Sequence, residues 1–422
     1  MKKINKLHAT IAIISLAFLN LFQATAQETH SPYSKFGYGL LNDNATSTQR
    51  QMGGVGYAMT SGRQTNVMNP ASYAAIDTLT FLFDMGLDMT FLNYKETVGS
   101  QENKFNGKGG GLDYITMQFP IGSRLGMSLG ILPYSSVGYS FGSAIENGSS
   151  SYEGSGNINQ LNLGLSGRIW RGLSVGANVS YLFGTLYHDA YAYTGANTSL
   201  FEQVMQVRDY HLQFGLQYSQ VINRRHRATV GVVYTPAKTL LGHTWVQQYR
   251  NISETAPPDT LENSFISLKG NYSLPETWGA GISYEYEGRI FGEVDFTYQP
   301  WSKANYTTNE YTGDVRFADR YRVSAGVSYS PRYHGRYIQR VAWRLGAYYN
   351  RDYIMVGNNN VRDFGISCGA GLPAPSGKTV INIGLEYINR SATPQPLMKE
   401  NYFNITLGIN FNQTWFFQNK IQ

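Results

Sequence analysis

Cysteine is almost missing from this chain. Cys368 is the only one among 422 residues, so no intrachain disulfide can form. Charge is scarce too: Asp, Glu, Lys and Arg make up 15% of the chain, yet the mean hydropathy stays negative at −0.31. Past the first 26 residues no apolar run approaches the roughly 18 residues of a spanning helix, which excludes a helical membrane protein. The seven histidines form no H-E-x-x-H pair, and Cys368 has no partner for a metal site. Neither glycine-rich stretch is a phosphate loop. Gly53-Gly54-Val55-Gly56 lacks the strand and spacing of a dinucleotide fingerprint, and Gly371 and Gly377 stand one residue too far apart for G-x-x-x-x-G-K-T. No catalytic residue, cofactor or metal is assigned, and an enzyme is not expected.

The N-terminus carries an address. Lys2, Lys3 and Lys6 precede an apolar core over residues 11–22, and Ala24-Thr25-Ala26 is a small-x-small cleavage site. Residues 1–26 therefore read as a secretory signal peptide. Its removal lowers Lys plus Arg from 34 to 31 against 28 acids, a net charge of about +3. That mild balance argues against a nucleic-acid partner.

What is abundant is glycine, with 45 residues, and aromatics, with 32 Tyr and 21 Phe. The clearest pattern is at the C-terminal end. Phe403, Ile405, Leu407, Ile409 and Phe411 alternate with Asn404, Thr406, Gly408, Asn410 and Asn412. Alternation puts one apolar and one polar face on a strand about nine residues long, the signature of a transmembrane β-strand. The same period recurs around Leu161–Ser166, Val175–Tyr181, Leu212–Ser219, Val323–Tyr329 and Ile381–Tyr387. Short turns near residues 122, 171, 225, 288, 334 and 375 alternate with longer polar stretches at 143–156, 194–208, 250–263 and 302–318. This predicts an all-β fold: an up-and-down antiparallel transmembrane β-barrel of about 14 strands over residues 78–417, in the cell outer membrane and in contact with its lipid. Closure requires the first strand, near 80–91, to pair with the last, near 401–411, because an open edge in hydrocarbon leaves backbone groups unpaired.

Residues 27–77 alternate poorly and precede the barrel, so they are expected to fill its lumen as an N-terminal plug. Gly53, Gly54 and Gly56 would let the backbone run close to the wall. The stretch ends on Asn69-Pro70-Ala71. A signal peptide, a plug ending in Asn-Pro-Ala and a barrel of this size resemble the FadL (outer-membrane protein P1, TodX) family of outer-membrane barrels. The resemblance implies a channel for long-chain fatty acids or other hydrophobic small molecules. It also admits relatives such as the shuttle component of the type 9 secretion system, which bind exported proteins.

Charged residues on the strands should face the lumen, because Arg or Lys toward lipid at mid-membrane costs about 2–4 kcal/mol. Glu285, Glu293, Asp295, Arg322 and Arg344 are such residues. They read as a ladder holding wall to plug, or as a polar gate or ligand headgroup site. Residues 199–207, with Leu200, Val204 and Val207 at helical spacing, read as a short helix over the barrel mouth or as an apolar ligand groove. Trp415, Phe416 and Phe417, and the cluster Tyr348, Tyr349 and Tyr353, read as interfacial girdles. Two functions remain: passage of hydrophobic molecules, or an accessory or scaffold barrel in an outer-membrane assembly or secretion complex.

Overall fold

The computed structural model describes residues 31–98, 101–145, 148–194, 197–250, 259–307, 315–331, 336–375 and 378–414. The expected signal peptide and Trp415, Phe416 and Phe417 lie outside the described residues. A two-residue strand, β1 (Leu40–Leu41), belongs to the N-terminal segment. The wall begins with β2 (Thr80–Val98), β3 (Gln101–Pro120), β4 (Leu125–Ile145), β5 (Gly148–Trp170), β6 (Leu173–Thr194), β7 (Asn197–Asn223) and β8 (His226–Thr235). It resumes with β13 (Thr277–Tyr286), β14 (Ile290–Gln299), β15 (Arg320–Tyr329), β16 (Ala342–Val356), β17 (Asn359–Pro373), β18 (Thr379–Thr393) and β19 (Met398–Thr414). Between the two runs lie β9 (Lys238–Thr239), β10 (Gly242–Arg250), β11 (Asp259–Ser267) and β12 (Ser273–Leu274).

Each wall strand pairs antiparallel with the next. β8 pairs with β13, and β19 closes onto β2 with Phe411 opposite Phe83 and Phe403 opposite Phe91. The result is a closed barrel of 14 strands, and the pairing of first and last strand is the one that closure demanded. Leu165, Val179, Phe214, Ile282, Val294, Val327, Leu345 and Ile383 point outward and are exposed, as a lipid-facing surface requires.

The wall is uneven in height. β8, β13, β14 and β15 have 10 residues each, about what a bilayer needs, whereas β7 has 27 and β5 has 23. Much of 143–156 and 194–208, expected as loops, is strand that continues above the membrane band. Residues 199–207 form neither a helix nor a groove but part of β7. Phe201, Met205 and Val207 are buried on one face, and Gln203 is buried between them. That polar residue at an inward position hid the period of two and left the apolar positions looking helical. The hairpin of β10 and β11 pairs with this upper part of β7, Trp245 opposite Val204, and extends the sheet sideways.

The half of the barrel away from the short turns encloses a hydrophobic core. Tyr38, Leu186, Met205, Leu268, Trp301, Tyr353 and Ile354 are buried in one cluster. Trp301 stacks on Tyr353 at 4.4 Å between ring centroids, and Tyr306 and Phe317 meet Tyr38 and Tyr353 edge-on. Tyr348 and Tyr353 are therefore inside, not in a girdle; of that trio only Tyr349 is exposed. Trp301→Ala is expected to destabilise the barrel by about 3–5 kcal/mol, the range for deleting a fully buried aromatic, which a thermal melt followed by tryptophan-independent far-UV circular dichroism would read.

Candidate functional site: the filled lumen

The N-terminal segment lies inside the barrel, and its local structure follows from its sequence. Thr46 and Gln49 form a capping box that starts a helical turn, Ser47–Arg50. The turn ends where Gly53 and Gly54 take φ of +72° and +79°, values that favour glycine, so that their amides donate back to the Arg50 and Gln49 carbonyls. Asn69 caps a second turn, Pro70–Ala75: its side chain accepts from the Ala71 amide and donates to the Tyr57 carbonyl at 2.7 Å. Pro70 sits where a helical first position needs no N–H.

The wall meets this segment through charged side chains on consecutive strands. Asp295 Oδ2 accepts from the amides of Gly56 (2.7 Å) and Tyr57 (3.0 Å), and Glu293 Oε1 accepts from Ala58 at 2.5 Å. On β15, Arg322 pairs with Asp43 at 2.8 Å, donates to the Gly53 carbonyl and lies 3.8 Å over the Tyr348 ring. On β16, Arg344 donates at 2.8 Å to both Gln51 and Asn382. Glu285 stands apart. It faces Arg227 at 3.3 Å beside the short-turn end of the barrel and contacts no part of the N-terminal segment in the described interactions.

Glycines supply the remaining fit. A Cβ on Gly346 would collide with the backbone of Met52 and Gly53, one on Gly231 with the Tyr57 carbonyl, and one on Gly176 with Pro70 and Ala71. Gly56 is needed for a related reason, since a Cβ there would strike Gln49 and Met68. Above these seats is a charged layer. Asp43 bridges Arg320 and Arg322, Arg50 pairs with Asp113 at 2.9 Å, and Arg390 approaches Asp363 and Glu400. Burial pushes the Asp43 carboxyl up, but Arg322 and Arg320 outweigh it and hold the group below its usual range. Two polar cavities remain, of about 90 and 210 Å³, the larger lined by Asp43, Arg50, Asp88, Arg322, Glu386 and Arg390. A space of 210 Å³ among ion pairs is small and polar compared with a pocket for an apolar ligand.

The family model of BamG matches residues 4–422. The chain belongs to the BamG family. Its fold is also that of solved outer-membrane transporters at low sequence identity. The Pseudomonas putida toluene transporter TodX matches with a TM-score of 0.63 at 14% identity, covering 89% of this chain and 100% of that one. A Pseudomonas aeruginosa FadL homologue matches at 0.60 and 11%, covering 88% and 99%. The Ralstonia pickettii toluene transporter TbuX matches at 0.53 and 16%, covering 87% and 98%. No curated protein matches the sequence. This BamG-family chain is thus an outer-membrane β-barrel with the FadL-like fold.

Several contacts of this lumen were not legible in the chain of the BamG-family protein. Asp43 and Arg50 lie in a stretch with no strand period, and Asp113 sits at a bulge, where an alternation count loses its phase. Arg320 and Arg390 were open to the inward-charge argument that found Arg322, since both lie on strand faces that alternate with apolar residues. Four G-x-S-x-G runs, starting at Gly126, Gly138, Gly172 and Gly365, lie in or at the start of wall strands; none makes the strand-to-helix turn of a hydrolase nucleophile. Among the described residues no group of three or more His, Cys, Asp or Glu is arranged to hold a metal ion.

Proposed function

We propose that this protein is a non-conducting accessory barrel of an outer-membrane protein assembly complex, with residues 27–77 as its permanent plug. The observation that carries this reading is the filled lumen: a polar network at the level of the plug and an aromatic core above it. A channel for apolar molecules needs a continuous apolar path, and the charged layer at Asp43, Arg320, Arg322 and Arg390 is costly for such a molecule to cross. An apolar hollow of about 780 Å³, lined by Leu165, Val175, Phe214, Leu216 and Val232, lies on the lipid side of the wall, where a membrane partner or lipid would meet it. The strands that rise above the bilayer offer a rigid platform, and the BamG designation hints at a role in assembly. The second reading, passage of hydrophobic small molecules of the long-chain fatty acid class, is favoured by the whole-chain likeness to toluene transporters.

Gentle purification from native membranes, mass spectrometry of what accompanies the barrel, and planar-bilayer recording separate the two. We expect stoichiometric outer-membrane partners that survive salt, and no current steps. A lone barrel carrying a fatty acid, lost on changing Arg322 or Arg344, would establish the channel instead.

A further inference from the structure

One seam in the wall is only half closed. β3 pairs with β2 along its whole length, from Leu82 opposite Gln118 to Val98 opposite Gln101. With β4 it pairs only from Pro120 opposite Gly126 to Ile115 opposite Ile131. β4 itself stays paired to β5 as far as Ile145. The two strands therefore part above Ile115. A bulge at Asp113 turns β3 at this level, and Asp113 is drawn inward to Arg50. The β4 side of the seam is covered by the N-terminal segment. Leu40 and Leu41 pair with Ser136 and Ser135, the Asn42 amide donates to the Tyr134 carbonyl, and the Ser31 amide donates to the Gly138 carbonyl. Among the described residues no strand pairs with the corresponding flank of β3 from Gln101 to Tyr114.

The depth of this flank matters. Leu112, Gly110 and Lys108 stand opposite Leu87, Met89 and Phe91, which in turn face Leu407, Ile405 and Phe403 of the lipid-facing C-terminal strand. The unpaired flank thus begins within the lipid band, where backbone groups have no water to bond and an open edge is strongly disfavoured. Gly109, Gly110 and Gly111 leave it without side-chain cover, and Leu112 is 58% exposed. Between Gln101 and Tyr114 the edge has neither proline nor shortness to protect it; Lys104, Lys108 and the bulge at Asp113 are its blunting features, and Gly109 to Leu112 between them carry no charge.

We propose that this flank of β3 is a docking edge, completed by an extended strand of a partner membrane protein. The added strand would carry apolar residues on its lipid side at the level of Leu112 and would bond main chain to main chain, as β1 already does on β4. The proposal rests on the accessory-barrel reading and names where the complex joins.

The test places a photo-crosslinking benzoylphenylalanine at Lys108, Leu112 or, as a lipid-facing control across the barrel, Ile282, in the full chain in native outer membranes. The adducts of Lys108 and Leu112 are expected on one protein, at residues about four apart, the spacing of two extended strands lying side by side. Ile282 should give lipid adducts alone. Hydrogen exchange at Gly107–Leu112 should be at least tenfold slower in the native complex than in the isolated barrel. Lipid adducts alone at all three positions, adducts to this chain's own N-terminal residues, or adducts scattered over unrelated proteins would overturn the docking edge. If partners co-purify under those outcomes, the accessory reading stands and only the edge is lost. If the barrel is alone and conducts, both fall.

Discussion

Gly346→Val and Gly231→Val should each unseat the N-terminal segment, so that a barrel expected to be silent as an accessory subunit shows current steps in a planar bilayer. At Gly346 the new side chain meets the Met52 and Gly53 backbone, and at Gly231 it meets the Tyr57 carbonyl. Backbone against backbone has no rotamer to relieve it, so the cost lies at or above the 1–3 kcal/mol typical of overpacking, about enough to shift a seated segment to a released one. The two seats lie on different strands and on different parts of the segment, so the double variant should approach the sum of the two. Gly292→Ala is the control, because the nearest atom to its Cβ would be 3.9 Å away. Limited proteolysis gives a second readout, with residues near Arg50 and Arg63 becoming cleavable in the valine variants only. Silent barrels with unchanged melting and an uncut segment would mean that close approach is not what seats it.

Asp295→Ala is expected to be the most damaging change among the charged wall residues. It strips the acceptor from two buried amides, those of Gly56 and Tyr57, whereas Glu293→Ala removes one close bond, from the Ala58 amide, with the Met59 amide a more distant second. A buried donor left unsatisfied costs about 1–3 kcal/mol, so the first substitution should cost roughly twice the second. Asp295→Asn keeps a carbonyl oxygen in place and should recover most of the loss, which separates hydrogen bonding from charge. Thermal unfolding in detergent, followed by the loss of the compact gel band, measures all three. Equal effects of the alanine and asparagine variants would show that charge, rather than the acceptor, holds the segment.

The barrel was legible because membrane strands obey a strict rule. A strand with lipid on one side and a polar interior on the other must alternate, so Phe403 to Phe411 and their counterparts could be recognised one by one, and closure then followed from the backbone's need for partners. The inward direction of Glu293, Asp295, Arg322 and Arg344 was legible for the same reason, since lipid excludes charge. The rule fails above the membrane, where β7 buries Gln203 beside Met205 and nothing on the outer face has to be apolar. It fails also for Tyr348 and Tyr353: β16 runs from Ala342 to Val356, so Tyr348 lies mid-strand on the inner face, and an aromatic cluster does not itself tell a girdle from a core.

By itself, then, the sequence determined the outer-membrane location, the closed barrel, its strand number and the presence of a non-barrel segment ahead of it. These depend on composition and on period two, both local properties of the chain. Only the tertiary structure decided that the N-terminal segment and an aromatic core occupy the lumen, that Asp43 joins Arg320 to Arg322, and that the seam beside β3 stays open. Each of those depends on which residues from distant strands arrive at the same height, and register between strands far apart in sequence is set by the packing of the whole barrel.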